Sequence, residues 1–287
     1  MKASDFLYHR ATSIEEAVGY LDDYGGSARI LAGGQSLVPM LNMRLWRPSA
    51  LVDINAIADL AAIHVHGEYT VLGATVRHVT VETSPVVAAR LPLLAHTVRC
   101  VGDRQIRNRG TLGGSLVQGD PSAEMPLACL VLDARGTVVG PRGPREIPMD
   151  AFYEGSYAAA LKPDELLTRI AFPKHPPHFA FREICRRHND FAVVSAAVTG
   201  HREADGRWTN IRLGLGGVHD MPILASNAMS LLDGSHLLDA DIAAAAAEAQ
   251  RCVSPPSDMR ATEEYRRHLV GVHVRRVLST LRCSVPA

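Results

Sequence analysis

The chain has 287 residues, 47% of them hydrophobic and 21% charged, which is enough for one large domain or for two to three smaller ones. Its 30 Lys and Arg balance its 30 Asp and Glu, so the zero net charge predicts neither a nucleic-acid partner nor an anionic membrane partner. The five scattered cysteines form no CxxC pair, and there is neither an N-terminal apolar segment nor a run of 18 apolar residues. We therefore expect a reduced, cytoplasmic protein without a metal site or membrane span of its own.

The first predicted element is a helix over residues 13–24, with Ser13 as its N-cap. Glu16 stands three residues later, the spacing of a capping box in which its carboxylate reaches the Ser13 N–H. A short apolar run, 28–31, predicts a buried strand that leads directly into a first glycine loop, Gly-Gly-Gln-Ser at 33–36. Further predicted elements in this half are strands at 51–54 and 71–74 and a helix near 85–91.

A polar stretch, 103–109, predicts a turn that runs into a second glycine loop at 110–116. Residues 140–148 are rich in Gly and Pro and predict a connector, whereas 165–172 predict a strand. The Lys-His-Pro-Pro segment at 174–177 predicts a linker.

After the linker the pattern changes to strands at 192–198 and 208–218, joined by a polar turn as in a β-hairpin. The glycines at 214–217 lie inside a strand-like run and predict a place where neighbouring elements pack closely. Three helices complete the chain, at about 225–233, 239–253 and 261–282. The sequence thus predicts an α+β part to about residue 175, followed by a three-stranded sheet with helices.

The two glycine loops are the first candidates for a ligand site. Paired glycines let the backbone turn sharply and approach a ligand without Cβ obstruction, and successive N–H groups can form an anion site. Ser36 and Ser115 add hydroxyl donors, so the two loops could clamp a pyrophosphate, and Arg104, Arg107 or Arg109 could offset its charge. A plain tight turn explains either loop taken singly. Neither loop fits G-x-G-x-x-G or the P-loop pattern.

The loops extend into longer motifs, AGGQSLVP at 32–39 and QIRNRGTLGGSL at 105–116. Two further motifs follow, DPSAEMP at 120–126 and SDMRATEEYRRHL at 257–269. In this order the four motifs resemble those of the FAD-binding subunits of the xanthine dehydrogenase and carbon monoxide dehydrogenase family of molybdenum hydroxylases. The resemblance covers essentially the whole chain.

The resemblance implies a PCMH-type FAD-binding fold of two subdomains, 1–55 and 56–175, followed by a C-terminal flavoprotein domain at 178–287. FAD would lie extended between the two subdomains, with both glycine loops at its pyrophosphate. The residues implied at the pyrophosphate are Ala32, Gly33, Gly34, Gln35, Ser36 and Leu37 from the first loop, and Thr111, Gly113, Gly114 and Ser115 from the second.

Five further residues are implied near the flavin ring. Val117 and Leu167 would be apolar contacts, and Glu124 would be an acidic residue beside the ring. Arg182 and Phe191 fall where relatives carry a Lys and an aromatic or acidic residue. Simpler structural roles are equally compatible with the sequence, because Val117 and Leu167 could be core residues, Glu124 could be a helix N-terminal charge, and Phe191 could serve packing.

The resemblance implies an oxidoreductase in which this chain carries FAD and other subunits carry the remaining cofactors. Electrons would pass from a molybdopterin cofactor on a large molybdenum subunit, through two [2Fe–2S] clusters on a small iron–sulfur subunit, to FAD and a terminal acceptor. The implied assembly is a dimer of heterotrimers. One alternative is a free-standing flavin oxidoreductase of the same fold, with a general base or a flavin-linking His. Another is a scaffold that has lost FAD, against which the intact glycine loops argue.

Overall fold

The structure, a computed structural model, describes residues 2–187 and 189–284. The first region contains a three-stranded parallel sheet of order β1-β3-β2 and two helices. Its strands are β1 (Leu7–Arg10), β2 (Ala28–Leu31) and β3 (Ala50–Asp53), and its helices are α1 (Ile14–Asp23) and α2 (Leu37–Asn42).

Helix α1 begins where the sequence predicts. The Ser13 hydroxyl accepts a hydrogen bond from the Glu16 N–H at 3.1 Å, as an N-cap does. The predicted partner of the Glu16 carboxylate is wrong, because that carboxylate accepts from the Thr12 N–H at 2.7 Å rather than from Ser13. Ala17 and Leu21 lie on the buried face of the helix and pack against the sheet.

The second region is built on an antiparallel sheet of order β4-β5-β10-β6-β7 and a set of short helices. Its strands are β4 (Ile63–His66), β5 (Tyr69–Gly73), β6 (Arg135–Gly140), β7 (Gly143–Pro148), the paired short strands β8 (Tyr153–Gly155) and β9 (Ala158–Ala159), and β10 (Leu166–Phe172). Its helices are α3 (His78–Thr83), α4 (Pro85–Arg90), α5 (Pro92–Thr97), α6 (Arg104–Arg109), α7 (Leu112–Gln118) and α8 (Glu124–Val131).

Two segments of this region differ from their sequence predictions. The polar stretch at 103–109 is a helix rather than a turn, because the Asp103 carboxylate caps it by accepting from the Ile106 N–H at 2.8 Å. The predicted connector at 140–148 ends in strand β7, which pairs along its length with β6 as a hairpin. Its exposed polar side chains concealed the strand from a pattern analysis.

The third region contains an antiparallel sheet of order β11-β12-β13-β14 and three helices. The predicted three-stranded sheet has three long strands and a two-residue fourth. The strands are β11 (His178–Cys185), β12 (Ala192–Arg202), β13 (Trp208–Gly216) and β14 (Ile223–Leu224), and the helices are α9 (Ser226–Leu232), α10 (Asp239–Arg251) and α11 (Glu263–Arg282). None of the helices in the described part of the chain is long and apolar enough to cross a membrane.

Helix α8 joins the second and third regions. Every one of its residues is buried, and it packs against strands β12 and β13. A Cβ on Gly214 would come within 2.5 Å of the Val131 side chain, so the helix and strand approach more closely than a larger residue would allow. The close packing predicted for residues 214–217 is therefore confirmed. The domain limits at 55 and 175 remain predictions, and residues 285–287 lie outside the described part.

A buried arginine ties helix α11 to the third sheet. Arg266 is only 1% exposed, and its guanidinium donates to the carbonyl oxygens of Val193 and of Gly217, the latter at 3.0 Å. The same guanidinium binds both carboxylate oxygens of Asp258, at 2.9 and 2.8 Å. An arginine that binds both carboxylate oxygens fixes the orientation of the carboxylate and neutralises its charge. The loop before α11 is therefore held against the strand ends.

Replacing Arg266 by Met should destabilise the fold, because two buried carbonyls lose their donor and Asp258 loses its cation. We expect the free energy of unfolding to fall by about 2–4 kcal/mol, measured by urea denaturation. Arg275→Met removes an exposed arginine of the same helix and should change it by less than about 0.5 kcal/mol. Equal losses in the two variants would mean that the helix charge, and not the buried network, carries the effect.

Candidate functional site

The two glycine loops touch through their backbones. A Cβ on Gly33 would overlap the carbonyl oxygen of Arg109 and lie 2.9 Å from the Cα of Gly110. Gly34 has φ +71°, in the left-handed region that favours glycine. The first loop therefore requires glycine at two successive positions. Gly33 is needed for the close approach of the two backbones, and Gly34 is needed for its left-handed backbone conformation.

An arginine and an asparagine bridge the two loops. The Arg77 guanidinium donates to the Arg109 carbonyl oxygen and, at 2.6 Å, to the side-chain oxygen of Asn55. The Asn55 amide in turn donates to the carbonyl oxygen of Ala32 at 2.9 Å. Sequence analysis missed both residues, because neither belongs to a glycine motif and they come together only through the fold.

The loops line one wall of a cavity of about 590 Å³. This volume lies within the range of small-molecule and cofactor sites. Fourteen of the fifteen site residues predicted from the sequence line this cavity: Ala32, Gly33, Gly34, Gln35, Ser36, Leu37, Thr111, Gly113, Gly114, Ser115, Val117, Glu124, Leu167 and Phe191.

Arg182 is the exception. It is exposed on strand β11, where it pairs with Ala196, and it is not part of the cavity wall. The structure thus separates Arg182 from the other predicted residues. On an alternating strand, a misplacement by one residue reverses the face to which a side chain points.

The first loop carries free backbone donors. Within residues 2–187 and 189–284, the N–H groups of Gly34, Gln35 and Ser36 have no protein acceptor, and all three residues line the cavity. Three successive free N–H groups beside a cavity suit an anionic ligand.

The second loop uses its N–H groups to hold the fold together. The Leu112 N–H donates to the Val76 carbonyl oxygen and the Gly113 N–H to that of Ala74, each at 2.9 Å. The Thr111 hydroxyl caps helix α7 by accepting from the Gly114 N–H at 3.1 Å. The N–H groups of Leu112, Gly113 and Gly114 are therefore already hydrogen-bonded, and the placement of this loop at a pyrophosphate remains a prediction. The hydroxyl of Ser115 is a further donor that the loop can offer a ligand.

The arginines of helix α6, Arg104, Arg107 and Arg109, are not part of the cavity wall. Arg107 instead binds the Glu82 carboxylate at 2.8 Å and the carbonyl oxygen of Gly102 at 2.9 Å. This ion pair joins helix α6 to helix α3.

The remaining predicted residues differ in burial. Val117 is 40% exposed at the cavity, so it is not a core residue, whereas Leu167 is buried and belongs both to the core and to the cavity wall. Glu124 begins helix α8 and is also buried. Burial, reinforced by the charge of Glu183, raises the Glu124 pKa to about 8. Phe191 is 52% exposed at the cavity edge.

Comparison with known protein families decides what this arrangement is. Residues 3–175 match the FAD binding domain in molybdopterin dehydrogenase, and residues 179–281 match the CO dehydrogenase flavoprotein C-terminal domain. The chain belongs to this flavoprotein family. It is an FAD-binding medium subunit of the molybdenum hydroxylase type, and its relatives are oxidoreductases.

Relatives match over nearly their full length. The chain is 37% identical to the 6-hydroxypseudooxynicotine dehydrogenase complex subunit alpha of Paenarthrobacter nicotinovorans, covering 97% of this chain and 95% of the relative. It is 36% identical to the carbon monoxide dehydrogenase medium chain of Afipia carboxidovorans, covering 97% of both. The solved carbon monoxide dehydrogenase of Hydrogenophaga pseudoflava matches with a TM-score of 0.96 at 34% identity, covering 99% of this chain and 100% of that one. These matches confirm the predicted α+β, PCMH-type fold.

The cavity fits FAD in its donors. The free N–H groups at 34–36 suit the diphosphate. His78 adds an unpaired group. It is 4% exposed, it lines the cavity, and neither ring nitrogen has a hydrogen-bond partner among the described residues. Burial lowers its pKa to about 4, so the ring is neutral at pH 7 and can both donate and accept.

Substituting Gly33 should disrupt FAD binding even with the smallest side chain. Gly33→Ala places a methyl group on the Arg109 carbonyl oxygen and forces the two loops apart. We expect the FAD dissociation constant, measured by equilibrium dialysis, to rise by at least roughly tenfold. Gly19→Ala is the matched control, because a Cβ there meets no atom within 4 Å. Unchanged FAD binding by Gly33→Ala would show that the loop contact is not needed for the site.

The raised pKa of Glu124 should give the apoprotein a stability that depends on pH. Between about pH 4.5 and 8 the folded state keeps a proton that the unfolded state has lost, so this residue's contribution to the free energy of unfolding falls as pH rises through that window. Glu124→Gln cannot ionise and should show a smaller fall, measured by urea denaturation across the window. The exposed Glu146→Gln variant should behave like the unchanged protein. An identical pH profile for Glu124→Gln would contradict the assignment.

Proposed function

We propose that this chain is the electron-transfer subunit of a three-subunit molybdenum hydroxylase. Its FAD accepts electrons from [2Fe–2S] clusters on a small iron–sulfur subunit and passes them to a terminal acceptor. The clusters receive those electrons from a molybdopterin cofactor on a large molybdenum subunit. The complete assembly is a dimer of such heterotrimers.

The observation that carries the proposal is the full-length match to medium chains combined with the geometry of the cavity. Relatives are named as a medium chain or as one subunit of a complex, which implies that other subunits complete the enzyme. The solved carbon monoxide dehydrogenase of Hydrogenophaga pseudoflava lacks the Mo-pyranopterin moiety of its molybdenum cofactor, so a molybdenum cofactor belongs to that enzyme. We infer that a chain that matches such a medium chain in fold and over nearly its full length takes the same place in an electron-transfer chain.

In this proposal the protein binds and orients FAD, and FAD supplies the redox chemistry. The N–H groups of Gly34, Gln35 and Ser36 would bind the diphosphate. The hydroxyl of Ser115 would add a donor from the second loop. Val117 provides apolar surface for the flavin ring.

Glu124 has a distinct part in the proposal, because its raised pKa leaves a protonated carboxyl at the cavity wall at neutral pH. A protonated carboxyl can donate a hydrogen bond, which a carboxylate cannot. It also adds no negative charge beside a cofactor that already carries a diphosphate.

Electron transfer from the partner subunit can be tested directly. The small iron–sulfur subunit is reduced with dithionite, freed of excess reductant, and mixed anaerobically with the oxidised FAD-loaded chain in a stopped-flow instrument. We expect the flavin absorbance to bleach while the cluster absorbance returns at the same rate. A reduced plant-type ferredoxin, which lacks the matching interface, should react more slowly.

The same chain without partners should not oxidise substrates. Carbon monoxide, xanthine, nicotine, caffeine and glyceraldehyde are suitable probes, because each is named for a relative or its enzyme class. Bleaching of the flavin by any of them in the absence of both partners would replace the subunit proposal with a free-standing flavin oxidoreductase. Failure of the reduced iron–sulfur subunit to bleach the flavin would also contradict the proposal.

A further inference from the structure

Two half-exposed aromatic side chains stand at the edge of the FAD cavity. Phe191 is 52% exposed and Tyr157 is 53% exposed, and both belong to the cavity wall. The Tyr157 hydroxyl is fixed by a hydrogen bond to the Asp120 carboxylate at 3.2 Å. The Phe191 ring has no polar group with which to make such a bond, so another contact must hold it in place.

The contact comes from the C-terminal motif. The guanidinium carbon of Arg260 lies 4.8 Å from the centre of the Phe191 ring, within the distance of a cation–π interaction. Arg260 also lies near Tyr157. Burial and Asp120 raise the pKa of the Tyr157 phenol, and the positive charge of Arg260 opposes that rise. One guanidinium is therefore close to both aromatic residues of the cavity edge.

The turn that carries Arg260 is held rigidly. Asp258 accepts from the backbone N–H groups of Arg260 and Ala261 at 2.9 and 3.0 Å, while its carboxylate binds the buried Arg266. Arg186, which lies shortly before Phe191 in the chain, donates to the Met259 carbonyl oxygen of this turn at 3.1 Å. The turn is thus joined to the segment that leads into Phe191 as well as to helix α11.

The same network reaches the strand that follows Phe191. Arg266 donates to the carbonyl oxygen of Val193, two residues after Phe191, and to that of Gly217. The Gly217 N–H donates to the Pro121 carbonyl oxygen at 2.8 Å, beside Asp120. Contacts on both sides of Phe191 therefore fix its backbone, and Arg260 lies over its ring.

We propose that Arg260 is a positioning residue that holds the Phe191 ring over the edge of the FAD cavity, so that the C-terminal domain limits solvent access to the bound flavin. The inference gives a role to the Ser-Asp-Met-Arg segment at 257–260, which lies outside the glycine loops. It rests on the assignment of this cavity to FAD and is independent of the electron-transfer step.

The test uses the full FAD-loaded chain and two measurements. Acrylamide quenching of flavin fluorescence reports access to the flavin, and this neutral quencher is insensitive to the loss of a charge. Equilibrium dialysis gives the FAD dissociation constant. In Arg260→Met we expect both the quenching constant and the dissociation constant to rise about two- to fivefold, the factor that corresponds to one exposed cation–π contact. Arg260→Lys keeps a cation and should retain most of the protection.

A second substitution separates positioning of Phe191 from a general effect on the fold. Phe191→Leu should raise both constants at least as much as Arg260→Met, and Arg260→Met should add nothing in the Phe191→Leu background. Met259→Ala is the matched control, because that side chain is 93% exposed on the same turn.

Additive effects of the two substitutions, or unchanged constants in Arg260→Met, would overturn the inference. If FAD does not bind in this cavity, a different result is expected, because the FAD dissociation constant of Gly33→Ala would then equal that of the unchanged chain.

Discussion

The site depends on one backbone contact, that of Gly33 against Arg109 and Gly110. A Cβ on Gly33 has no space beside the Arg109 carbonyl oxygen, and a Cβ on Gly110 would lie 3.0 Å from the His78 ring. Apolar packing already joins the first two regions, since Leu166 of the second sheet lies in the core of the first. The glycine contact brings their loops together at the cavity, and the Arg77–Asn55 bridge holds them there.

Because of this contact, the two glycine loops use their backbone N–H groups differently, although they look alike in sequence. The second loop opens helix α7, and the N–H groups of Leu112 and Gly113 bind the chain that follows β5, so these two are unavailable to a ligand. The first loop rests on the second and keeps its N–H groups free at 34–36. The cavity wall therefore offers an anionic group the free backbone N–H groups of the first loop and the Ser115 hydroxyl of the second.

The third region takes part in the site through helix α8. Strand β13 packs on this helix at Gly214, and the Arg212 guanidinium donates to the carbonyl oxygens of Leu130 and Val131 at its C-terminal end. Glu124 stands at the other end of the same helix. The pKa of that carboxyl is raised by burial and by the charge of Glu183, which lies on strand β11 of the third region.

The sequence by itself determined the elements whose signals are local and the motifs whose order is specific. Ser13 caps α1, a strand precedes the first glycine loop, and the β12–β13 hairpin surrounds its polar turn. The four motifs were sufficient to predict the family, the PCMH-type fold and the cavity-lining residues of both glycine loops. N-cap residues, hydrophobic alternation and glycine pairs are patterns that span only a few residues. They can therefore be recognised from the sequence without knowledge of the fold.

Tertiary structure alone decided which donors are free, which charges are already paired, and where isolated residues point. Arg107 binds Glu82, Arg182 is not part of the cavity wall, and Arg77 and Asn55 meet across a separation of 22 residues. Strand β7 forms in spite of its polar side chains because its backbone pairs with that of strand β6. Each of these outcomes depends on a partner distant in sequence, and a local pattern holds no information about such a partner.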